Sequence, residues 1–292
     1  MDVTFWGVRG SIPAPGPATA RYGGNTSCVS VRTSKGAWLV LDCGTGARNL
    51  GLAMTTETTG DEGPAPGTFA SGGAEAAILL SHTHWDHIQG FPFFGPLYVA
   101  GNVFHIYGGA ENSASLEGIL EGQMAPQYFP VQTLKNMGAS IDVVALAPGT
   151  PREILGCRVT AAANPHGRAG AMAFRIEEGD RSVVYASDAG YGPGGPSAEA
   201  LALYRGADLL IHDSTYTPED RARYPHRGLA SVDEAVAAAL AAGARRLALF
   251  HYDQDYTDAD VDRLIERARH QLAKAQSSLE LHAAAEGTTI SV

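Results

Sequence analysis

Cysteine and basic residues are both scarce in this chain of 292 residues. The three cysteines, Cys28, Cys43 and Cys157, are an odd number at wide spacing. This fits neither a disulfide framework nor a zinc knuckle and favours reduced, buried thiols. Lysine and arginine total 21 against 31 aspartate and glutamate residues, which gives a formal net charge of -10. Binding to nucleic acid depends on massed basic side chains, so the charge argues against a nucleic-acid partner.

Long apolar runs are also absent from the sequence. No stretch is long enough to cross a bilayer, and the N-terminus MDVTFWGVRGSIP lacks the basic and apolar regions of a secretory signal. We therefore expect a cytoplasmic protein without membrane contact. Hydrophobic residues make up 45% of the chain, enough to bury one large core, and we predict a single domain that spans 1–292.

Short β-branched and aromatic runs, bounded by Gly, Pro or Ser, predict strands in both halves of the chain. The predicted strands are 3–8, 28–33, 37–42, 76–80, 141–145, 154–161, 172–177, 182–186, 208–212 and 246–250, with a final strand pair around 279–292. The Thr, Gly and Pro-rich stretch 55–77 has little to contribute to a core and is predicted to be a flexible surface loop.

Helices are predicted between and after these strands. One begins near Thr45, and a second follows a capping box formed by Ser231 and Glu234 and ends at Gly243. Thr257 caps a third helix that reaches about residue 274. Strands in runs with helices between them indicate an α+β protein, in which two mixed sheets pack together with helices outside, an αββα sandwich.

The densest group of ionisable residues follows the predicted strand 76–80. In the sequence SHTHWDH, alternation along the chain puts His82 and His84 on one side, where two imidazoles can share one metal ion. Asp86 and His87 lie in the turn beyond and suit a second ion nearby. Burying these groups together without a cation would strongly disfavour folding. The cluster therefore predicts a metal site.

The sequence HTHWDH from His82 to His87 resembles the HxHxDH hallmark of the metallo-β-lactamase superfamily. That resemblance implies three further ligands at later strand ends. His166 is then the third imidazole for the ion held by His82 and His84, Asp188 bridges the two ions, and His251 completes the second site. The ions are expected to be zinc, with manganese or iron as alternatives that suit the same ligands.

Three segments resemble the tRNase Z and phosphodiesterase branch of the superfamily. These are FWGVRGSIP at 5–13, LDCGTG at 41–46, and LLIHDSTY at 209–216. The second implies that Asp42 orients a ligand histidine, although Asp42 can also simply cap the following helix. The third places Asp213 at the acidic position that supports a catalytic histidine in that branch.

The sequence departs from this branch where the catalytic histidine is expected. The corresponding stretch is Leu229-Ala230-Ser231, and the nearby His226 is either the leaving-group acid or a solvated loop residue. The long basic arm with which tRNase Z grips tRNA has no counterpart. We therefore expect a small phosphodiester substrate, with a cyclic nucleotide as one candidate, rather than transfer RNA.

The predicted chemistry is hydrolysis by a hydroxide that bridges the two metal ions, with Asp86 orienting it and accepting its proton. A tRNase Z-like RNA endonuclease, a carboxylic ester, thioester or lactone hydrolase, and a non-catalytic metal-binding protein remain the alternatives. The aromatic segment FPFFGPLY at 91–98 lies close to the ligands. It either packs in the core or in a homodimer interface, which we favour, or walls a pocket for a base or aryl group.

Overall fold

The computed structural model of the chain describes residues 1–56, 59–60, 63–109, 115–130, 133–167 and 170–292. Its strands, numbered along the chain, are β1 (Asp2–Gly7), β2 (Cys28–Arg32), β3 (Trp38–Leu41), β4 (Thr59–Gly60), β5 (Gly63–Pro64), β6 (Glu75–Leu79), β7 (Val103–Gly108), β8 (Ser140–Ala145), β9 (Arg152–Ile154), β10 (Cys157–Asn164), β11 (Ala171–Glu178), β12 (Arg181–Ala186), β13 (Leu209–Asp213), β14 (Arg246–Phe250), β15 (Glu280–Ala283) and β16 (Thr289–Ser291). Its helices are α1 (Ala47–Thr56), α2 (Trp85–Ile88), α3 (Leu116–Gln123), α4 (Ala198–Tyr204), α5 (Pro218–Arg223), α6 (Val232–Ala242) and α7 (Asp258–Lys274).

Two large mixed sheets carry the architecture. The first has the order β16-β1-β2-β3-β6-β7-β8, and the second has the order β15-β14-β13-β12-β11-β10-β9. Each sheet joins an antiparallel half to a parallel half, with the change of direction at β3 in the first sheet and at β12 in the second. The strand pattern repeats in the two halves of the chain, as the sequence predicts.

The main core lies between the two sheets. Phe5 of β1 and Phe250 of β14 meet there with ring centroids 6.2 Å apart, and Tyr185 of β12 packs edge-on against Phe250. The buried faces of α6 and α7 extend this core outside the second sheet, and α1 and α3 cover the first sheet over a second cluster. Helices thus flank two stacked sheets, which confirms the predicted α+β sandwich.

Most predicted elements form within a residue or two of their expected bounds, with two corrections. The predicted strand 154–161 is interrupted by Leu155 and Gly156, both with positive φ, so β9 and β10 form a hairpin. Because Leu155 is apolar, the hydrophobic pattern continues through this turn and does not indicate it. The final strands do not pair with each other, because β15 joins β14 in one sheet and β16 joins β1 in the other.

The predicted helix caps are confirmed. Ser231 and Glu234 form a capping box at the start of α6, and Gly243 ends the helix in the left-handed conformation at φ 63°. Thr257 forms the equivalent box for α7, with Asp260 as its partner. The predicted loop 55–77 contains the end of α1 and the ribbon of β4 and β5, and its last three residues, 75–77, instead belong to β6. Residues 57–58 and 61–62 of this loop lie outside the described residues, and its flexibility stays a prediction.

Across the described ranges, every helix is too short or too polar to span a membrane.

One ionic contact ties three parallel strands of the first sheet together. His105 of β7 lies 2.7 Å from the Glu75 carboxylate through Nε2 and 2.6 Å from the Asp142 carboxylate through Nδ1. Burial would lower the pKa of His105, but the two carboxylates outweigh it and raise the pKa above its usual value. The stabilisation is therefore complete below the unfolded pKa and is lost as the pH rises through the raised one.

Replacing His105 by glutamine should accordingly destabilise the protein more in mild acid than in base. We expect the melting temperature to fall by about 2 °C at about pH 6 and by almost nothing at about pH 9, since all three groups are partly solvated. His270→Gln on the exposed side of α7 is the control. An equal fall in melting temperature at both pH values for His105→Gln would show that lost packing, not charge, is responsible.

Candidate metal centre

The seven predicted ligand residues gather at one edge of the two sheets. His82 and His84 follow β6, Asp86 and His87 lie on α2, and the remaining three directly follow second-sheet strands: His166 after β10, Asp188 after β12 and His251 after β14. Since β10, β12 and β14 run in the same direction, their carboxyl ends lie at the same edge. The strand ends thus bring together residues distant in sequence.

The side chains form three groups of three, each with ligand atoms within 4.8 Å of one another, and two of these groups share no residue. The first contains His82, His84 and His166, with His84 Nδ1 only 3.0 Å from His166 Nε2. In the second, Asp86 Oδ2 lies 3.3 Å from Nε2 of both His87 and His251. These are the two sets that the sequence assigns to separate ions.

Asp188 lies between the two groups and turns one carboxylate oxygen toward each. Its Oδ1 is 3.6 Å from His166 Nε2 and 4.0 Å from His82 Nε2. Its Oδ2 is 3.1 Å from His87 Nε2 and 3.4 Å from His251 Nε2. This is the geometry that a bridging ligand requires.

The donor set fits a pair of divalent cations. Nε2 of His82 and Nε2 of His87 are buried and have no hydrogen-bond partner in the part of the chain that the structure describes. Buried nitrogen atoms of this kind cost free energy unless something satisfies them, and both face the Asp188 carboxylate. Imidazole nitrogen and carboxylate oxygen are ligands that zinc, manganese and iron all accept.

The charge states of Asp86, Asp188 and His82 suit cation binding. Burial would raise the pKa of Asp86, but His87 and His251 outweigh it and hold the pKa below its usual value. Burial would likewise raise the pKa of Asp188, yet His251 and His87 hold it well below its usual range. Burial and the neighbouring His87 lower the pKa of His82, which keeps its imidazole neutral. Ionised carboxylates and a neutral imidazole are the forms that bind metal. Burial would lower the pKa of His87 and His251, but the neighbouring carboxylates outweigh it and raise the pKa of both, so a bound cation would displace a proton from each ring.

Asp42 holds His87 from behind. Its carboxylate accepts hydrogen bonds from His87 Nδ1 and from the Tyr185 hydroxyl, both at 2.7 Å, and from the backbone and side chain of Ser81. The bond to Nδ1 fixes the ring with Nε2 facing the cluster. Asp42 therefore positions His87, a predicted ligand, which is the more specific of the two roles considered from the sequence.

Two more of the predicted ligand histidines are fixed in a similar way. His166 Nδ1 lies 2.8 Å from the Gly228 carbonyl oxygen, and His251 Nδ1 lies 3.0 Å from the Thr215 hydroxyl. Position 10 must be glycine, because a Cβ there would lie 2.4 Å from the His251 ring. The supporting roles of Ser81, Thr215 and Tyr185 were not predicted, since they depend on which strands become neighbours.

The two remaining residues proposed from the sequence differ in their surroundings. Asp213 is fully buried, and its carboxylate accepts four hydrogen bonds, three from the backbone N–H groups of Ala189, Thr215 and Ala230 and one from the Thr215 hydroxyl. Asp213 thus contacts His251 only through Thr215, and it joins three loops. His226 is exposed on a short 3-10 turn, Pro225–Arg227. Catalytic roles for both stay predictions.

The aromatic segment 91–98 divides between the core and a cavity. Phe91, Phe94 and Leu97 are fully buried in the cluster beneath the first sheet. Pro92 and Phe93 instead line a cavity beside the ligand segment, and Phe93 is 59% exposed. The core interpretation is therefore confirmed for three residues, while a pocket for a base or aryl group and the homodimer stay predictions.

Known proteins share both the sequence pattern and the fold. Residues 37–252 match the family model described as Beta-lactamase superfamily domain. Ribonuclease Z of Brevibacillus brevis is 35% identical over 82 residues, which are 28% of this chain and 24% of that enzyme. The chain therefore spans about a quarter of that relative. Ribonuclease BN of Cronobacter sakazakii is 24% identical over 91% of this chain and 93% of that protein.

Among solved structures, the metallo-beta-lactamase fold protein YhfI from Bacillus subtilis superimposes with a TM-score of 0.69. The superposition covers 99% of this chain and 98% of YhfI at 23% sequence identity. At this identity the likeness concerns the fold.

Proposed function

The chain belongs to the metallo-β-lactamase superfamily of hydrolases, and on that basis we propose that it is a dinuclear metal-dependent phosphodiesterase that acts on small phosphodiesters. The observation that carries the proposal is the position of Asp188, with one oxygen toward each group of ligands. Two-metal sites of this kind are typical of phosphate ester hydrolysis. The ribonuclease relatives, whose names denote cleavage of RNA, favour phosphodiesters over carboxylic esters.

Bound divalent ions would supply Lewis acidity and bring the pKa of water close to neutrality. Within the chain, Asp188 fixes the relation between the two ligand groups, and Asp42 keeps His87 aimed at the second. Asp86, anchored by the Ser11 N–H at 2.7 Å, orients the attacking water and accepts its proton at the carboxylate. His84 is the exposed member of the cluster, so we place substrate entry on its side.

The second candidate is an RNA-processing endonuclease, which the ribonuclease relatives specifically favour. Their names weaken the expectation, drawn from the net charge of -10, that nucleic acid is not a partner. We prefer a small substrate because an acidic surface offers little attraction to a polyanion. As to the metal, we propose zinc, with manganese and iron as the alternatives to be tested.

A metal and substrate panel tests the proposal. Protein purified without chelators should contain two divalent ions per chain and should hydrolyse bis(p-nitrophenyl) phosphate and cyclic nucleotides. It should be at least tenfold slower on p-nitrophenyl acyl esters, thioesters and lactones, and on a precursor RNA with a 3′ extension, an order-of-magnitude expectation for about 1.4 kcal/mol of discrimination. A strong preference for the RNA would favour the second candidate, and a preference for acyl esters would contradict both. Bound metal without any turnover would indicate a metal-binding protein.

A further inference from the structure

A cavity of about 680 Å³ lies beside the metal centre. Thr83 and Trp85, the neighbours of His84 on either side, both line it. His84 is also the exposed residue of its ligand group. The cavity is therefore adjacent to the side of the cluster that solvent reaches, and its volume falls within the range typical of small-molecule sites, about 300 to 1,000 Å³.

Aromatic rings that solvent reaches line this cavity. Trp85, Phe93 and Tyr128 are 75%, 59% and 77% exposed, although large apolar side chains are usually buried. Phe129 supports the Phe93 ring edge-on, with centroids 5.2 Å apart. Rings exposed together around a single cavity offer flat faces on which another planar ring can stack.

The polar side chains of the cavity are amides, apart from the hydroxyls of Thr83 and Tyr128. Gln89, Gln123 and Gln127 line it, and none of its described lining side chains is charged. Nε2 of Gln123 is buried without a hydrogen-bond partner among the described residues. An unpaired buried amide costs free energy until a ligand satisfies it. Amides present donors and acceptors that match the edge of a neutral heterocycle, whereas a phosphate would call for basic groups.

We propose that this cavity binds the nucleobase of the substrate and that its rings and Gln123 set a preference for nucleotide phosphodiesters. The inference rests on the proposed function, since it assigns the base to the cavity and the phosphodiester to the neighbouring metal centre. A mononucleotide and the end of an RNA chain carry the same base, so the cavity chemistry is common to both sources.

Equilibrium binding tests this proposal without depending on turnover. Using calorimetry on protein purified without chelators, we expect AMP to bind about tenfold or more tightly than ribose 5-phosphate, which lacks the base. Nucleotide binding should also quench tryptophan fluorescence, because the exposed Trp85 lines the cavity, whereas Trp38 is buried elsewhere. Equal affinity for AMP and ribose 5-phosphate would overturn the proposal.

Variants assign the preference to the cavity. Phe93→Leu and Gln123→Met should each weaken AMP binding several-fold while leaving ribose 5-phosphate affinity unchanged. Tyr224→Leu, which removes an exposed ring outside this cavity, is the matched control. A loss of AMP affinity that ribose 5-phosphate shares would place the defect at the metal centre and contradict a base site. A single-stranded oligoribonucleotide tested beside AMP distinguishes the two sources of the base.

The outcome separates this inference from the proposed function. Selective AMP binding by a protein that hydrolyses no phosphodiester would retain the base site and reject the phosphodiesterase. Phosphodiester hydrolysis without base preference would retain the phosphodiesterase and reject the base site.

Discussion

Replacing Asp188 by alanine is expected to lower phosphodiester turnover by about 1,000-fold or more, equivalent to roughly 4 kcal/mol of activation free energy. Asp188 is 2% exposed, and its two oxygens lie within 4.0 Å of four ligand histidines. Alanine removes the shared ligand of both groups at once. Bound metal should therefore fall from two ions per chain to about one or none, as measured by elemental analysis beside the kinetic assay.

Asp208→Ala provides the matched control for this variant. Asp208 is also a buried aspartate, at 4% exposure, but it contacts Ser182 and Arg245 away from the cluster. We expect this change to lower stability while leaving metal content and turnover nearly intact. If Asp188→Ala kept both ions and stayed within tenfold of the original turnover, Asp188 would not be the bridging ligand.

Replacing Asp42 by alanine is expected to destabilise the metal-free protein by about 3 kcal/mol or more, because it leaves several buried donors without an acceptor. The carboxylate accepts hydrogen bonds from Ser81, His87 and Tyr185, and all of these residues are fully buried. A loss of this size is a large fraction of a typical domain stability of about 5 to 15 kcal/mol. Urea unfolding in the presence of a chelator measures it.

Asp42→Asn separates folding from metal binding. Asparagine has nearly the same shape and tolerates the left-handed backbone at position 42, where φ is 59°. It should fold more stably than the alanine variant, yet an amide in place of the carboxylate disturbs the bond that orients His87. We expect metal affinity about 10- to 100-fold weaker, measured by chelator competition. Unchanged affinity would show that Asp42 serves only the fold.

The sequence is sufficient to predict which residues gather in the cluster, because a local motif marks four of them and the family resemblance points to three strand ends. His82 to His87 form a single motif, while His166, Asp188 and His251 each follow a recognisable apolar strand. Alternation and strand-end position are properties of short segments, and the resemblance to the metallo-β-lactamase superfamily implies that these strand ends meet at one edge. The capping box of α6 and the Thr257 cap of α7 are equally local and were predicted from the sequence, whereas Asp260 as the partner of Thr257 was not.

The supporting contacts could not be predicted because they depend on which distant residues become neighbours. Tyr185 reads as one more apolar strand residue, and only the packing of the two sheets brings its hydroxyl to Asp42. The cavity beside His84 likewise needs Phe93 and Tyr128, whose segments meet only in the fold. The turn at Leu155 was missed for a local reason. Its apolar side chain fits the hydrophobic pattern of a strand, whereas its backbone has a positive φ that a strand does not adopt.

The predicted ligands come from both sheets, four from the stretch that follows β6 and three from strand ends of the second sheet. A cation bound by residues of both sheets would link the first half of the chain to the second and would favour the folded state by mass action. Metal depletion would then lower the amount of the protein as well as its activity, because the interface between the two sheets would open more often and expose the chain to proteases. Cellular abundance of the chain would thus report on the supply of the ion.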